Sequence, residues 1–430
     1  MSSLIRTFFA KKPVAPGNIF NTRILSFQGG NVSDQRICIL GLGYIGLPTS
    51  SILATKGYSV LGIDVNPDVV ATINEGRIHI TEPDLDLFVK AAVGSGKLRA
   101  ALKPEAADVF IIAVPTPFKE GHKPDMTYVE EATKSIVPVI QKGNLVVLES
   151  TSPPRTCEAI IAPILAKSGL KVGEDIFVAH CPERVLPGQI MREVVENDRV
   201  IGGINAISSE KAKALYASFC KGQIFLTDAT TAEMVKLVEN SFRDVNIAFA
   251  NELSIICDKL GLNVWELIRL ANRHPRVNIL RPGAGVGGHC IAVDPWFIVD
   301  ACPKEARLIH SARIVNDDKP HRIIAHIENA AERFKHPTIG VLGLAYKQDI
   351  DDLRESPAVE IARHLKHKKC GELLVCEPYV TSHPEFTLFS LDEVIRRSDI
   401  LVLLVPHTQF KNIDRELLKP KVVIDTCGVF

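Results

Sequence analysis

The stretch 281–296, Arg-Pro-Gly-Ala-Gly-Val-Gly-Gly-His-Cys-Ile-Ala-Val-Asp-Pro-Trp, carries the residues best suited to covalent chemistry. Four glycines in six positions (Gly283, Gly285, Gly287 and Gly288) bring no buried area. Their use is a backbone that bends sharply or comes close to a ligand. That backbone delivers the thiol of Cys290, with the imidazole of His289 beside it and the carboxylate of Asp294 four residues on. A thiol becomes a good nucleophile where nearby positive charge or amide groups stabilise the thiolate. A cysteine taken alone is more often buried and inert. The glycine density and the Asp294-Pro295-Trp296 stop shift the balance toward a nucleophile.

A second chemistry lies near the start. Residues 36–40 form a short apolar run that ends in Gly41-Leu42-Gly43-Tyr44-Ile45-Gly46, followed by a helix-like stretch and a second strand closing on Asp64. Strand, Gly-x-Gly-x-x-Gly, helix, strand and terminal acid together form the dinucleotide fingerprint. Gly41 makes the tight turn, Gly43 admits the pyrophosphate, and Gly46 lets helix and strand pack closely. The helix N-terminus supplies amides and partial positive charge to the phosphates. Asp64, 23 residues after Gly41, accepts from the adenosine ribose and repels a 2′-phosphate, so NAD is expected over NADP.

The elements that must position these groups are alternating apolar strands and helices. Strands are expected at 108–114, 144–149 and 176–180, and such a pattern means a parallel sheet covered on both faces. Val114, Thr116 and Thr151 fall at the carboxyl ends of strands, where the ligand crevice of such a sheet lies. Glu183 and Arg184 follow the strand at 176–180, held where solvent and ligand meet; the plain alternative is a local ion pair between them. From about residue 230 to 261 the apolar spacing is helical on more than one side, as for a helix buried between domains or against a second subunit. Lys236 and Asn240, four apart, share a face that matters only if it points at Cys290. Arg273, Arg276 and Arg281 precede or open the glycine-rich loop.

After Lys319-Pro320 a second α/β pattern echoes the first, with runs at 338–345, 373–377, 399–406 and 421–426. It lacks the three-glycine motif, so a nucleotide other than a second dinucleotide is expected there. Lys347 and Arg354 follow its first strand, where both can meet phosphates, the arginine bidentately. The fold class is thus α/β: two Rossmann-like parallel-sheet domains joined by a central helical dimerisation domain. The expected boundaries are an extension at 1–35, then domains at 36–207, 208–318 and 319–430.

Composition narrows the classes. Lys+Arg and Asp+Glu are both 50 among 430 residues, so no basic excess points to nucleic acid or an anionic membrane. Hydrophobic content of 46% with 23% charged residues fits a globular protein, and no apolar run reaches the length of a membrane span. The ten cysteines show no zinc spacing, so no metal is expected, and they point to a reducing, cytoplasmic setting.

With these residues in hand, the chain resembles the UDP-glucose/GDP-mannose dehydrogenase family from about residue 36 to its end. The resemblance rests on Gly-Leu-Gly-Tyr-Ile-Gly-Leu-Pro, Val-Pro-Thr-Pro, Glu-Ser-Thr, Cys-Pro-Glu-Arg, Lys236-x-x-x-Asn240, Gly-Val-Gly-Gly-His-Cys with Asp294 four later, Val315-Asn316-Asp317 and Leu-Arg-Glu-Ser-Pro. Within the family, His-Cys-Ile-Ala-Val-Asp-Pro-Trp is similar to the branch acting on UDP-N-acetylmannosamine. Pro187 stands where the UDP-glucose enzymes carry a second acid.

The resemblance implies NAD-dependent four-electron oxidation of a sugar C6 alcohol to a carboxylate. Cys290 would form the thiohemiacetal and thioester, with Lys236 and Asn240 at the oxyanion. Asp294, Glu183 and Thr151 would handle water and its proton. NAD would lie against Gly41, Gly43, Tyr44, Ile45, Gly46, Asp64, Val114, Thr116, Thr151 and Arg354. A UDP-sugar would meet Glu183, Arg184, Lys236, Asn240, Arg273, Arg276, Gly285, Gly287, His289 and Lys347, in a homodimer paired through the central helix. UDP-N-acetylglucosamine and UDP-glucose remain open as substrates. A non-catalytic nucleotide-binding regulator has no use for Lys236, Cys290 and Asp294. A β-hydroxyacid dehydrogenase has none for the cysteine loop or the second α/β domain.

Overall fold

The computed structural model describes residues 35–430; the extension expected at 1–35 lies, apart from Gln35, outside them. The first ten strands are β1 (Arg36–Leu40), β2 (Ser59–Ile63), β3 (Leu98–Ala101), β4 (Val109–Ile112), β5 (Phe118–Lys119), β6 (Lys123–Pro124), β7 (Leu145–Leu148), β8 (Phe177–His180), β9 (Arg199–Gly203) and β10 (Ile224–Asp228). Eight of them form one sheet in the order β10-β9-β8-β7-β4-β1-β2-β3, while β5 and β6 pair as a small hairpin. Alternate residues of β1 enter opposite cores: Ile37 and Ile39 on one face, Cys38 and Leu40 on the other. A strand buried on both faces has no polar positions to spare, hence its nearly continuous apolar run.

Two expectations about extent are corrected. The sheet does not end near residue 207; it continues into β10 at 224–228. It is also not wholly parallel, because β9 runs antiparallel to β8 while β10 is parallel to β9. β9 opens with a charged residue, Arg199, and has two glycines at its end, which hides it from an apolar-run criterion.

The central part is two long helices, Ala229–Leu260 and Arg307–Ala331, bracketing the cysteine loop. The first is capped by the Asp228 side chain on Thr231 N (2.8 Å) and stopped by Gly261 in the left-handed region. At 1.5 Å per residue its 32 residues run roughly 48 Å. A buried polar seam joins the pair: Arg313 to Asp244 (2.6 Å), Asn316 Nδ2 to Asp244 (2.8 Å), Asn251 Nδ2 to Asn316 (2.9 Å) and Lys319 Nζ to Ser254 (2.6 Å). The break expected at Lys319-Pro320 does not occur. Pro320 sits inside the second helix, which continues to Ala331.

The last sheet holds β11 (Thr338–Leu342), β12 (Glu372–Cys376), β13 (Ile400–Leu403) and β14 (Val422–Asp425), all parallel, in the order β12-β11-β13-β14.

Candidate active site

At the carboxyl edge of the first sheet, Gly41 has φ +92°, and a Cβ there would lie 2.6 Å from the Ala113 carbonyl oxygen. A Cβ at Gly43 would meet nothing within 4 Å, so this face of the turn is open to a close-approaching group. The first helical hydrogen bond of the following helix, Leu47 N to Gly43 O (3.1 Å), leaves Tyr44, Ile45 and Gly46 at the amide-rich end. Asp64 stands one residue past β2, accepting from Leu42 N (3.2 Å) and Asn66 N (3.0 Å). An open glycine face, a helix N-terminus and a flanking carboxylate fit a dinucleotide's pyrophosphate and ribose diol. Val114, Thr116 and Thr151 are half-buried beyond the ends of β4 and β7, and Ser150 Oγ ties the two ends together through Val114 O (2.7 Å).

The glycine-rich loop is anchored at its start by Gly283 N on Asn251 Oδ1 (2.9 Å), an atom of the polar seam. Three of its glycines also serve close packing against the C-terminal domain. A Cβ at Gly287 would lie 2.4 Å from the Glu355 carbonyl oxygen, and one at Gly285 or Gly288 would press on Pro357 or the Tyr346 ring. Gly288 N also donates to Arg354 O (3.2 Å). The loop is therefore packed onto the C-terminal domain, backbone against backbone. Cys290 then begins the turn into the helix Asp294–Ala301, its carbonyl accepting from Asp294 N (2.8 Å).

Around the thiol the charged groups converge. Cys290 is solvent-accessible, yet enough protein surrounds it that desolvation raises its pKa, against the lowering charge of Lys236. Asp294 is buried and raised to about 6 by desolvation, with Lys236 and the Asn240 hydrogen bond opposing. Asn240 Nδ2 donates to Asp294 Oδ2 at 2.6 Å, and Lys236 Nζ donates to the Glu183 carbonyl at 2.6 Å. The face shared by Lys236 and Asn240 thus points at the cysteine loop. Lys236 also helps burial push His180 down to about 3.

Glu183 is corrected from an accessible loop acid to a buried one, 4% exposed. Its carboxylate pairs with Arg199 Nη2 (3.0 Å) and accepts from Arg184 N (2.8 Å); only its carbonyl reaches Lys236. A carboxylate held this way is spent on Arg199 and is not aimed at the thiol. Arg184 ion-pairs with Glu239 (2.7 Å) and donates to Asp198 O, so the Glu183–Arg184 side-chain pair is absent. Beside them, Glu149 accepts from Tyr216 OH (2.6 Å) and is raised to about 7 by burial and by the charge of Glu183.

His289 is exposed, its pKa lowered by desolvation and by Arg354. Arg354 is held bidentately by Asp352 (2.8 and 2.6 Å) and lies within electrostatic reach of Tyr44 and of Cys290. Lys347 is not at the thiol. It lines a separate cavity of about 560 Å³ at the carboxyl edge of the second sheet, with Arg281, Gly285, Tyr346, Gln348 and Lys411. Arg281 is fixed there by the carbonyls of Cys427 (3.0 Å) and Gly428 (3.2 Å) and by the Trp265 ring. Arg273 and Arg276 are exposed on the loop after the helix Val264–Ala271, and no ion pair holds either among the described residues.

Sequence reading missed Arg199, Tyr346 and Asn251 as supports of this site. The only available sign of Arg199 was a charged residue opening an otherwise apolar run.

The chain is similar to known proteins over the described residues. Residues 35–220 match the NAD binding domain of the UDP-glucose/GDP-mannose dehydrogenase family, 230–318 its central domain and 340–430 its UDP binding domain. The chain is 56% identical over 407 residues to the NDP-N-acetyl-D-galactosaminuronic acid dehydrogenase of Ralstonia solanacearum, covering 92% of this chain and 96% of that one. It is 53% identical over 420 residues to the UDP-N-acetyl-D-mannosamine dehydrogenase of Escherichia coli K12, covering 93% and 100%. A solved structure of the UDP-D-ManNAc dehydrogenase of Pyrococcus horikoshii superimposes with a TM-score of 0.84 at 42% identity, covering 92% and 96%.

Proposed function

The chain belongs to the UDP-glucose/GDP-mannose dehydrogenase family, and from that premise we propose that it oxidises the C6 hydroxyl of UDP-N-acetyl-D-mannosamine to the carboxylate. The observation carrying this reading is the convergence of Lys236, Asn240 and the buried Asp294 on the exposed thiol of Cys290. Gly41, Gly43, Tyr44, Ile45, Gly46 and Asp64 would hold NAD+, and two NAD+ bound in succession would supply the two hydride acceptors that the four-electron oxidation needs.

In the first oxidation C6 would give its hydride to the bound acceptor and the hydroxyl would give its proton to water, leaving an aldehyde. The Cys290 sulfur then adds to the C6 carbon. Lys236 and Asn240 stabilise the resulting oxyanion. Loss of a second hydride gives a thioester, and attack of water on it releases the carboxylate and the thiol. A carboxyl raised to about 6 suits Asp294 as the base for that water, a role we transfer to it from Glu183 because the latter is locked on Arg199. Glu183 instead sets Lys236 through its carbonyl. The nucleotide is assigned to the cavity bearing Lys347 and Arg281, and Arg354 to a place within electrostatic reach of both Tyr44 and Cys290.

The 56% identity to an N-acetylgalactosaminuronic acid enzyme favours a second reading, the same oxidation on the galacto epimer. Offering UDP-N-acetylmannosamine, UDP-N-acetylgalactosamine, UDP-N-acetylglucosamine and UDP-glucose separately and following NADH absorbance decides between them. Fastest turnover of the first supports the proposal; silence with all four removes the dehydrogenase reading.

Pairing as a homodimer is supported by Val238, Phe242, Phe249, Ile256 and Leu260, which form an exposed apolar stripe along the long central helix. No described helix is long and apolar enough to cross a membrane. All ten cysteines are free, which fits residence in the cytoplasm.

A further inference from the structure

The second sheet, like the first, has an acid just past the end of its second strand, but here it is sealed in. There Glu377, the counterpart of Asp64, is buried and consumed internally. Its carboxylate accepts from Leu344 N (2.7 Å), Ala345 N (3.0 Å) and Tyr379 N (3.0 Å), and meets His407 Nε2 at 3.1 Å. The nucleotide cavity lies beyond this sealed turn and is walled by the loop 345–348.

The loop turns at Asp349, which has φ +59°, a left-handed conformation disfavoured for a residue with a side chain unless its surroundings hold it. Its carboxylate accepts from Thr408 N (2.8 Å), Thr408 Oγ1 (2.6 Å), Gln348 Nε2 (2.8 Å) and Tyr379 OH (2.9 Å). Its amide donates to Nδ1 of His407 (2.9 Å), a side chain fully buried between Asp349 and Glu377. With Nδ1 accepting, the ring proton of neutral His407 is on Nε2, donated to Glu377.

We propose that His407 is a positioning residue for nucleotide binding: by accepting the Asp349 amide it fixes the strained turn that presents Lys347 and Gln348 to the cavity. This rests on the nucleotide-sugar reading given above. Lys347 has no hydrogen bond or ion pair of its own among the described residues, so its placement at the cavity wall comes from the backbone that His407 holds. The imidazole never touches the ligand.

The two nitrogens separate this role from a merely structural one. Asparagine at 407 places an acceptor near Nδ1 and gives up the reach to Glu377. Glutamine places a donor near Nε2 and gives up the acceptor for Asp349. Titrating each folded variant with UDP alone by calorimetry, with NAD+ affinity as the control, should show His407→Asn within about threefold of the parent. His407→Gln should be weaker by at least about tenfold, with NAD+ affinity unchanged. In turnover, His407→Gln should raise KM for the UDP-sugar with little change in kcat.

Should the buried variants fold poorly, Thr408→Val provides the same test from the exposed side of the turn, since it removes one hydrogen bond to Asp349. It should weaken UDP severalfold and leave NAD+ alone. The inference fails if His407→Gln binds UDP as the parent does, if His407→Asn loses as much as His407→Gln, or, where neither folds, if Thr408→Val is indistinguishable from the parent. A parent protein that binds no UDP would instead sink the nucleotide-sugar reading, and this inference with it.

Discussion

Replacing Asp294 by asparagine should make the protein more stable while disabling it, with a stability gain that depends on pH in a stated direction. Burial lifts the Asp294 carboxyl from 3.8 to about 6. A shift of about two units at ~1.4 kcal/mol each is a penalty on the charged native state of order 3 kcal/mol. The folded chain holds this proton to a higher pH than the unfolded chain does, so unfolding releases it between about pH 4 and 6. Stability contributed at low pH is therefore lost as pH rises through 6. Asparagine cannot ionise, and its carbonyl can still accept from Asn240. The advantage of Asp294→Asn over the parent should thus grow by about 1.5 kcal/mol between pH 5 and pH 8. For a unit of this size that is roughly 3–6 °C of extra separation in Tm, read from the transition that melts the central helices. Formation of the uronic acid should fall by about 10²–10⁴-fold in the same variant, the usual worth of a general base. Parallel Tm profiles across pH for variant and parent would refute the buried-carboxylate argument, and unimpaired turnover would remove Asp294 from the chemistry.

Three other outcomes are expected. Asp64→Ala should relax the preference for NAD+ over NADP+, measured as the ratio of kcat/KM values; an unchanged ratio removes Asp64 from the ribose role. Lys236→Met withdraws the charge that lowers the Cys290 thiol, so the pH midpoint for alkylation of Cys290, followed by peptide mass, should rise. A midpoint that stays put places Lys236 outside electrostatic reach of the sulfur. Phe242→Glu, on a side chain 69% exposed in the apolar stripe, should shift the sedimenting species from dimer to monomer; a monomeric parent would contradict the pairing.

Much of the architecture was legible because its signals are local. The Gly41–Gly46 turn, the apolar strands and the four-residue spacing of Lys236 and Asn240 each declare a geometry that the neighbouring backbone alone produces. What escaped depends on partners distant in the chain. Glu183 reads as a ligand-edge acid until Arg199, 16 residues away on an antiparallel strand, turns its carboxylate inward. Gly287 reads as a ligand approach until the Glu355 carbonyl is found 2.4 Å from where its Cβ would be. Pro320 reads as a boundary, yet the seam of Asp244, Asn251 and Ser254 against Arg313, Asn316 and Lys319 keeps the helix going past it.

The sulfur of Cys290 carries the account, and counting electrons tests it most directly. With a limiting amount of the accepted UDP-sugar, the parent should yield two NADH and one uronic acid per sugar consumed. Cys290→Ala should form no uronic acid at a measurable steady rate. Two NADH per sugar from Cys290→Ala at the parental rate would contradict the covalent route outright.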